Sequence, residues 1–263
     1  MSIERLLGVN SLASLKEQKA ISTLLILIIV LSAVFVAAVA AVIYFWVIPG
    51  EPITEEFEYS DFTAVDVSSA FHAVIMQDTE YRVIISADEK IFNKINVTKT
   101  GNTLSIRTEP NTITASAPTA TIRMPNLTKL VLSGASIGTL SFFNSSESLS
   151  LELSGASILK MEDIDVEDVE IMLSGASTLT AENLFSISSG NNIVSIVEGA
   201  SSIDLTNFPA TNADLSISGA SQATVNLNGT LDATVSGAST VYYIGEPTMG
   251  NLDISDTSTI IKK

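Results

Sequence analysis

The chain has 263 residues, no cysteine and a formal net charge of −16, although only 16% of its residues are charged. Its length allows one large domain or two small ones, with ample chain to bury a core. Disulfide and thiolate chemistry are excluded, and so acidic a surface repels phosphate backbones, so nucleic acid is not an expected partner.

Residues 1–19 carry Arg5, Lys16 and Lys19 and are expected to form a cytoplasmic tail. From Ala20 to Gly50 there is no charge, and residues 20–48 are predicted to form one transmembrane signal-anchor helix. A bilayer core of roughly 30 Å needs about 20 helical residues, fewer than this stretch supplies. Tyr44, Phe45 and Trp46 cluster at one end, as aromatic belts do at a headgroup boundary. Basic residues precede the stretch and Glu51, Glu55, Glu56 and Glu58 follow it, which places the N-terminus in the cytoplasm and the remainder outside a single-pass cell-membrane protein. A cleaved signal peptide is the alternative, but its apolar region runs about 7–15 residues and ends at a small-residue site. Here the run is longer, and bulky aromatics follow its Ala-rich patch.

Residues 49–56, with Pro49 and Pro52, read as a short acidic linker. Residues 57–125 read as the first β coils and an N-terminal cap. Within them "YRVIISA" (81–87) alternates as a strand, and "INVTKTGNTLSIRT" (95–108) reads as a hairpin turning near Lys99–Asn102.

Residues 126–263 are dominated by a repeat. Ser-Gly-Ala-Ser begins at 133, 154, 174, 218 and 236, and Glu198-Gly199-Ala200-Ser201 is a one-letter variant. The intervals are 21, 20, 24, 20 and 18 residues. A degenerate copy, Ser255-Asp256-Thr257-Ser258, follows 19 residues later, and "VDVSSAFHAVIM" (65–76) has the same layout with Ser69 in the glycine place. The flanks alternate strictly. Leu149, Leu151, Leu153, Gly155, Ser157, Leu159 and Met161 share one parity, as do Leu215, Ile217, Gly219, Ser221, Ala223, Val225 and Leu227. A period of two places these residues on one buried face of a strand.

On this pattern the fold is expected to be all-β: a parallel, right-handed β-helix (a β-solenoid) with coils of about 20 residues. A leucine-rich repeat shares the period but lacks support here, because no Leu/Asn consensus or helical return limb is visible. Gly134, Gly155, Gly175, Gly199, Gly219 and Gly237 are expected at inward-bending corners with no room for a Cβ. Ser157, Ser177, Ser201, Ser221 and Ser239 are expected to stack inside, their hydroxyls bonding along the axis. The charged ending Lys262-Lys263 is expected to discourage end-to-end pairing.

Three segments carry a family resemblance: "DFTAVDVSSAFHAVIMQDTEYRVIISADE" (61–89), "GNTLSIRT" (101–108) and "IRMPNLTKLVLSGAS" (122–136). They resemble the auto-transporter adhesin head domain, also called the GIN domain, and with the later repeats the likeness covers about residues 57–263. The resemblance implies a right-handed β-helix-like fold at a bacterial or archaeal surface and an adhesin-like role. It carries no catalytic residue to transfer.

The residues themselves offer little chemistry. His72 is the one histidine and stands on the parity opposite Phe71, Ala73 and Ile75, facing solvent, with no nucleophile elbow near it. "MEDIDVEDVE" (161–170) is the best candidate metal site. Asp163, Asp165 and Glu167 share a face of an extended segment, and such carboxylates suit Ca²⁺; a solvated acidic loop is the competing reading, because no EF-hand or β-roll spacing is present. No other cofactor is implied. Sequons at Asn96, Asn126, Asn144 and Asn228 are glycosylation candidates that show no enrichment over chance. The expected role is a membrane-anchored, surface-exposed, non-catalytic module binding a glycan or protein ligand. The alternatives are a β-helical polysaccharide lyase or hydrolase, in which Lys160 stands nearest the acidic cluster, and a structural or sensor component of the envelope.

Overall fold

The computed structural model describes residues 27–42, 50–182 and 191–263. The chain divides into two units, residues 1–49 and residues 50–263. In the first, residues 27–42 are helical and display apolar side chains to the surroundings, among them Phe35 at 70% exposure. Among the described residues no helix is long and apolar enough to cross a membrane. The flanks of the expected span, 20–26 and 43–48, and the expected tail, 1–19, lie outside the described residues.

The second unit begins with β1 (Pro52–Phe57), β2 (Ala64–Val67), β3 (His72–Gln77) and β4 (Arg82–Asp88). One helical turn, Glu89–Phe92, precedes β5 (Ile95–Thr100), β6 (Thr103–Thr108) and β7 (Thr119–Met124). The expected linker 49–56 is corrected here, because Pro52–Phe57 is a strand, paired antiparallel with β4. Proline is tolerated as the first residue of an edge strand, and the Glu56 carboxylate accepts from Arg82 Nε at 2.8 Å across the pair. The 95–108 hairpin forms as the sequence predicts, with Gly101 at φ +58° in its turn.

The repeats then supply one strand to each of two sheets per coil. β8 (Lys129–Leu132) and β9 (Ile137–Ser141) form the first such coil. β10 (Asn144–Ser145) is a two-residue strand, followed by β11 (Leu149–Leu153), β12 (Ile158–Glu162), the short β13 (Asp165–Val166), β14 (Asp168–Leu173) and β15 (Thr178–Glu182). The chain continues through β16 (Asn192–Val197), β17 (Ser202–Ala210), β18 (Asn212–Ile217), β19 (Gln222–Leu227), β20 (Thr230–Val235), β21 (Thr240–Ile244), β22 (Thr248–Ile254) and β23 (Thr259–Lys262).

One sheet has eleven strands in the order β1-β4-β7-β3-β9-β12-β15-β17-β19-β21-β23. The other has ten, β22-β20-β18-β16-β14-β11-β8-β2-β6-β5. Every pairing from β8 to β23 is parallel, and β10 pairs with β13 as a small third sheet. Together these strands make a β-solenoid of about six turns. The first coil in sequence, β2 and β3, is not the outermost in space. It lies between β6 and β7 on one side and β8 and β9 on the other. Antiparallel β1, β4 and β5 close that end.

The core fills the space between the sheets, and the register stacks like on like. Leu132, Leu153, Leu173, Val197, Ile217, Val235 and Ile254 form one inner row. All but the last are nearly inaccessible. Fully burying one such side chain contributes roughly 1.5–3 kcal/mol, so the rows supply most of the favourable term. Parallel sheets usually have both faces covered. Here only the inner face is, and the strands alternate buried with half-exposed or exposed residues.

Candidate functional site

Each Ser-Gly-Ala-Ser unit joins a strand of the ten-stranded sheet to one of the eleven-stranded sheet. The corner serines Ser157, Ser177, Ser201, Ser221 and Ser239 are all buried, and so is Ser136 in the first unit. Their hydroxyls satisfy themselves in two ways. Ser136, Ser157 and Ser177 donate within their own turn to the carbonyls of Ser133, Ser154 and Ser174, at 2.8–2.9 Å. Bonds along the axis also occur, with Ser177 N–H donating to Ser201 Oγ and Ser221 N–H to Ser239 Oγ, each at 3.3 Å.

The glycines differ from expectation. They do not face the core: Gly134, Gly155, Gly175, Gly199 and Gly219 are exposed and Gly237 is half-buried. The corner is a left-handed turn, which breaks the period-two parity and swings the glycine outward. Two constraints then exclude a side chain. Gly175 has φ +77°, and a Cβ there would sit 2.5 Å from the carbonyl oxygen of Gly155 in the preceding coil. That carbonyl is held by the Ala176 N–H at 2.7 Å, and the same bond recurs from Ala200 to Gly175 and from Ala220 to Gly199. The corners therefore carry a backbone ladder of their own. Ser69 and Asp256, the non-glycine residues in this place, take φ +71° and +59° and sit in the first and last coils.

The opposite corner holds a ladder that the motif reading missed. Asp168 Oδ1 accepts from Asn192 Nδ2 at 2.8 Å, Asn212 Nδ2 donates to Asn192 Oδ1 at 2.9 Å, and Asn212 Oδ1 accepts from Thr230 N–H at 2.8 Å. The signal was present in the sequence: 168, 192, 212 and 230 each lie six residues before a repeat unit.

The calcium candidate does not assemble. Among the described residues no three acidic or histidine side chains stand close enough to hold a metal ion. Asp163 and Asp165 flank inward-facing Ile164, and Glu167 is exposed beyond inward-facing Val166. Alternate residues of an extended chain lie about 6.5–7 Å apart, too far for three carboxylates in sequence to share one ion without a loop that folds them together. Lys160 belongs to another pair, its Nζ 3.3 Å from Glu182 Oε1. His72 is exposed on the eleven-stranded sheet. Of the sequon asparagines, Asn96, Asn144 and Asn228 are exposed, whereas Asn126 is half-buried and donates to Glu147 Oε2 at 2.7 Å.

Two carboxylates near the antiparallel end are held in their charged form. The Arg82 guanidinium, by its hydrogen bond, holds the Glu56 carboxyl below its ordinary value, and Arg123 does the same for Asp78. What remains as a functional surface is the pair of broad outer sheet faces. The eleven-stranded face is polar, with Thr139, Lys160, Thr180 and Asp204 in one register row across β9, β12, β15 and β17. The ten-stranded face is acidic, carrying Glu152 and Glu170 on β11 and β14 and, beyond β16, Asp214 and Asp232 on β18 and β20.

Comparison with solved structures supports this architecture. A protein described as a putative adhesin from Bacteroides fragilis NCTC 9343 superposes with TM-score 0.71 at 20% identity, covering 81% of this chain and 97% of that one. A putative adhesin from Parabacteroides merdae ATCC 43184 gives TM-score 0.62 at 14% identity, with 81% and 97% covered. A putative lipid binding protein from Parabacteroides distasonis ATCC 8503 gives 0.64 at 17%, with the same coverage. At these identities the likeness shows the fold alone. No curated protein matches the chain. The family model described as "Putative auto-transporter adhesin, head GIN domain" matches residues 61–247, and the chain belongs to that family.

Proposed function

We propose that this protein is a membrane-anchored, surface-exposed β-solenoid that binds an extracellular glycan or protein and performs no catalysis. The observation that carries the reading is the pair of broad outer faces, which carry polar side chains in register on neighbouring coils. A repeated face suits weak contacts multiplied along the axis. The uncharged stretch 20–48, with its exposed apolar helix over 27–42, supports the anchor and an outward-facing C-terminal unit. The adhesin descriptions of the family and of similar structures agree with a binding role at the cell surface.

The test is retention of isolated cell-envelope polysaccharide and a glycan panel by the full chain in detergent, with product size recorded in the same samples. Retention with intact glycan is expected for a glycan-binding module. Shortened products would overturn the non-catalytic reading in favour of a lyase or hydrolase. Absence of retention would remove glycans as the ligand and leave a protein ligand. Protease added to intact cells lacking an outer barrier should digest residues 50–263; full protection would overturn the topology.

A further inference from the structure

The ten-stranded face is not uniformly polar. Val131, Glu152, Met172 and Ile196 stand in one register row across β8, β11, β14 and β16. Adjacent strands lie about 4.7–4.9 Å apart, so this row is a continuous strip rather than scattered residues. With Glu198 from the next corner it lines a shallow depression of about 340 Å³. Val194 lies on the same face of β16, and Val194 and Ile196 are 47% and 42% exposed. From β11 to β20 the other outward positions of this sheet carry Ser, Thr, Asn, Asp and Glu, so the cluster of Met172, Val194 and Ile196 is a departure from the sheet's own pattern.

The strip is set in one sign of charge. From β8 to β22 the outward positions of this sheet carry Glu152, Asp168, Glu170, Asp214, Asp232 and Asp253. Against them stands one cation, Lys129, whose Nζ is already bound to Glu152 Oε1 at 2.6 Å. Carboxylates arranged in this way focus a negative potential over an apolar floor.

We infer that this depression docks a cationic, aliphatic-containing segment of a partner protein. Its Lys or Arg side chains would meet Glu170, Glu198 and Asp214, and its apolar side chains would cover Met172, Val194 and Ile196. Charge complementarity selects this occupant. Anionic lipid headgroups and acidic envelope polymers are repelled by the face, and neutral sugars find no aromatic ring among its outward residues from β8 to β22 on which to stack. The inference rests on the binding-module reading and names its partner class.

The experiment measures fluorescence anisotropy of a labelled peptide alternating Lys and Val, titrated with the full chain in a non-ionic detergent. Peptides alternating Lys with Ser and Glu with Val serve as controls. The Lys/Val peptide is expected to bind, with affinity falling as salt rises, and both controls to bind distinctly more weakly. Ile196→Ser is expected to weaken binding about tenfold, the scale of one lost aliphatic contact. Glu198→Gln should weaken it less and flatten the salt dependence. Ile158→Ser, removing a similarly exposed aliphatic residue from the other sheet, should leave binding unchanged. Equal binding of the Lys/Ser peptide, or equal effects of Ile196→Ser and Ile158→Ser, would overturn the assignment. Failure of the Lys/Val peptide alongside glycan retention would sink this inference while leaving the binding module intact.

Discussion

The two corners of each coil solve the same problem by different means. At the Ser-Gly-Ala-Ser corner, backbone stacks on backbone: the carbonyls of Gly155, Gly175, Gly199 and Gly219 receive the next coil's Ala N–H, and a Cβ at Gly175, Gly199, Gly219 or Gly237 would lie 2.4–2.5 Å from the preceding glycine's carbonyl oxygen. At the opposite corner, side chains do the stacking, through Asp168, Asn192 and Asn212. Backbone stacking tolerates one residue type and fixes turn length, so the motif is spelled almost identically each time. Side-chain stacking accepts either Asp or Asn, and the repeat interval varies from 18 to 24 residues. Strict sequence repetition therefore marks where coils approach most closely.

Breaking this contrast should give effects of graded size. Gly175→Leu combines a left-handed backbone with a clash against a held carbonyl, so a loss of about 3–5 kcal/mol is expected by thermal or denaturant unfolding. A melting temperature within a degree or two of wild type would show the corner to be misassigned. Asn192→Leu leaves Asp168 and Asn212 without their side-chain partner and should cost about 1–3 kcal/mol. A loss as large as that of Gly175→Leu would mean that the two corners are equally intolerant. Ser69→Gly should work the other way. Its φ of +71° strains a residue with a Cβ, and relief is expected to stabilise by a few tenths to about 1 kcal/mol.

Smaller effects lie outside the corners. Glu56 and Asp78 have lowered pKa values in the folded state, so their contribution is present above the ordinary carboxylate range and is lost as pH falls through it toward the lowered values. Glu56 is exposed and Asp78 half-buried, and melting should decline only slightly more steeply in acid for wild type than for Asp78→Asn. No difference between the two would show the Arg123 pair to be energetically silent. Added Ca²⁺ or chelator should leave melting unchanged, since Asp163, Asp165 and Glu167 do not converge; a reversible rise with Ca²⁺ would restore that site.

The solenoid was legible because period-two alternation and a recurring glycine motif are both local signals. The strand pairing, the hairpin at 95–108 and the solvent-facing His72 followed from them. The outward turn of the glycines was not legible: parity counting assumes extended backbone, and the left-handed residue at each corner breaks the count. Strand β1 was hidden because Pro52 and its glutamates read as linker, whereas an exposed edge accepts both. The aliphatic strip around Met172 and Ile196 was unreadable for a different reason. Val131, Glu152, Met172 and Ile196 are far apart in sequence and become neighbours only when the coils stack.

The most direct test compares Gly175→Ala with Gly101→Ala by thermal unfolding. Both glycines have positive φ, but nothing lies within 4 Å of a Cβ at Gly101, whereas Gly155 blocks one at Gly175. If coil-on-coil contact dictates the motif, Gly101→Ala should cost only the backbone strain of about 1–2 kcal/mol and Gly175→Ala clearly more. Equal losses would show that the turn's dihedral angles alone demand glycine, and that the corner ladder does not set the repeat.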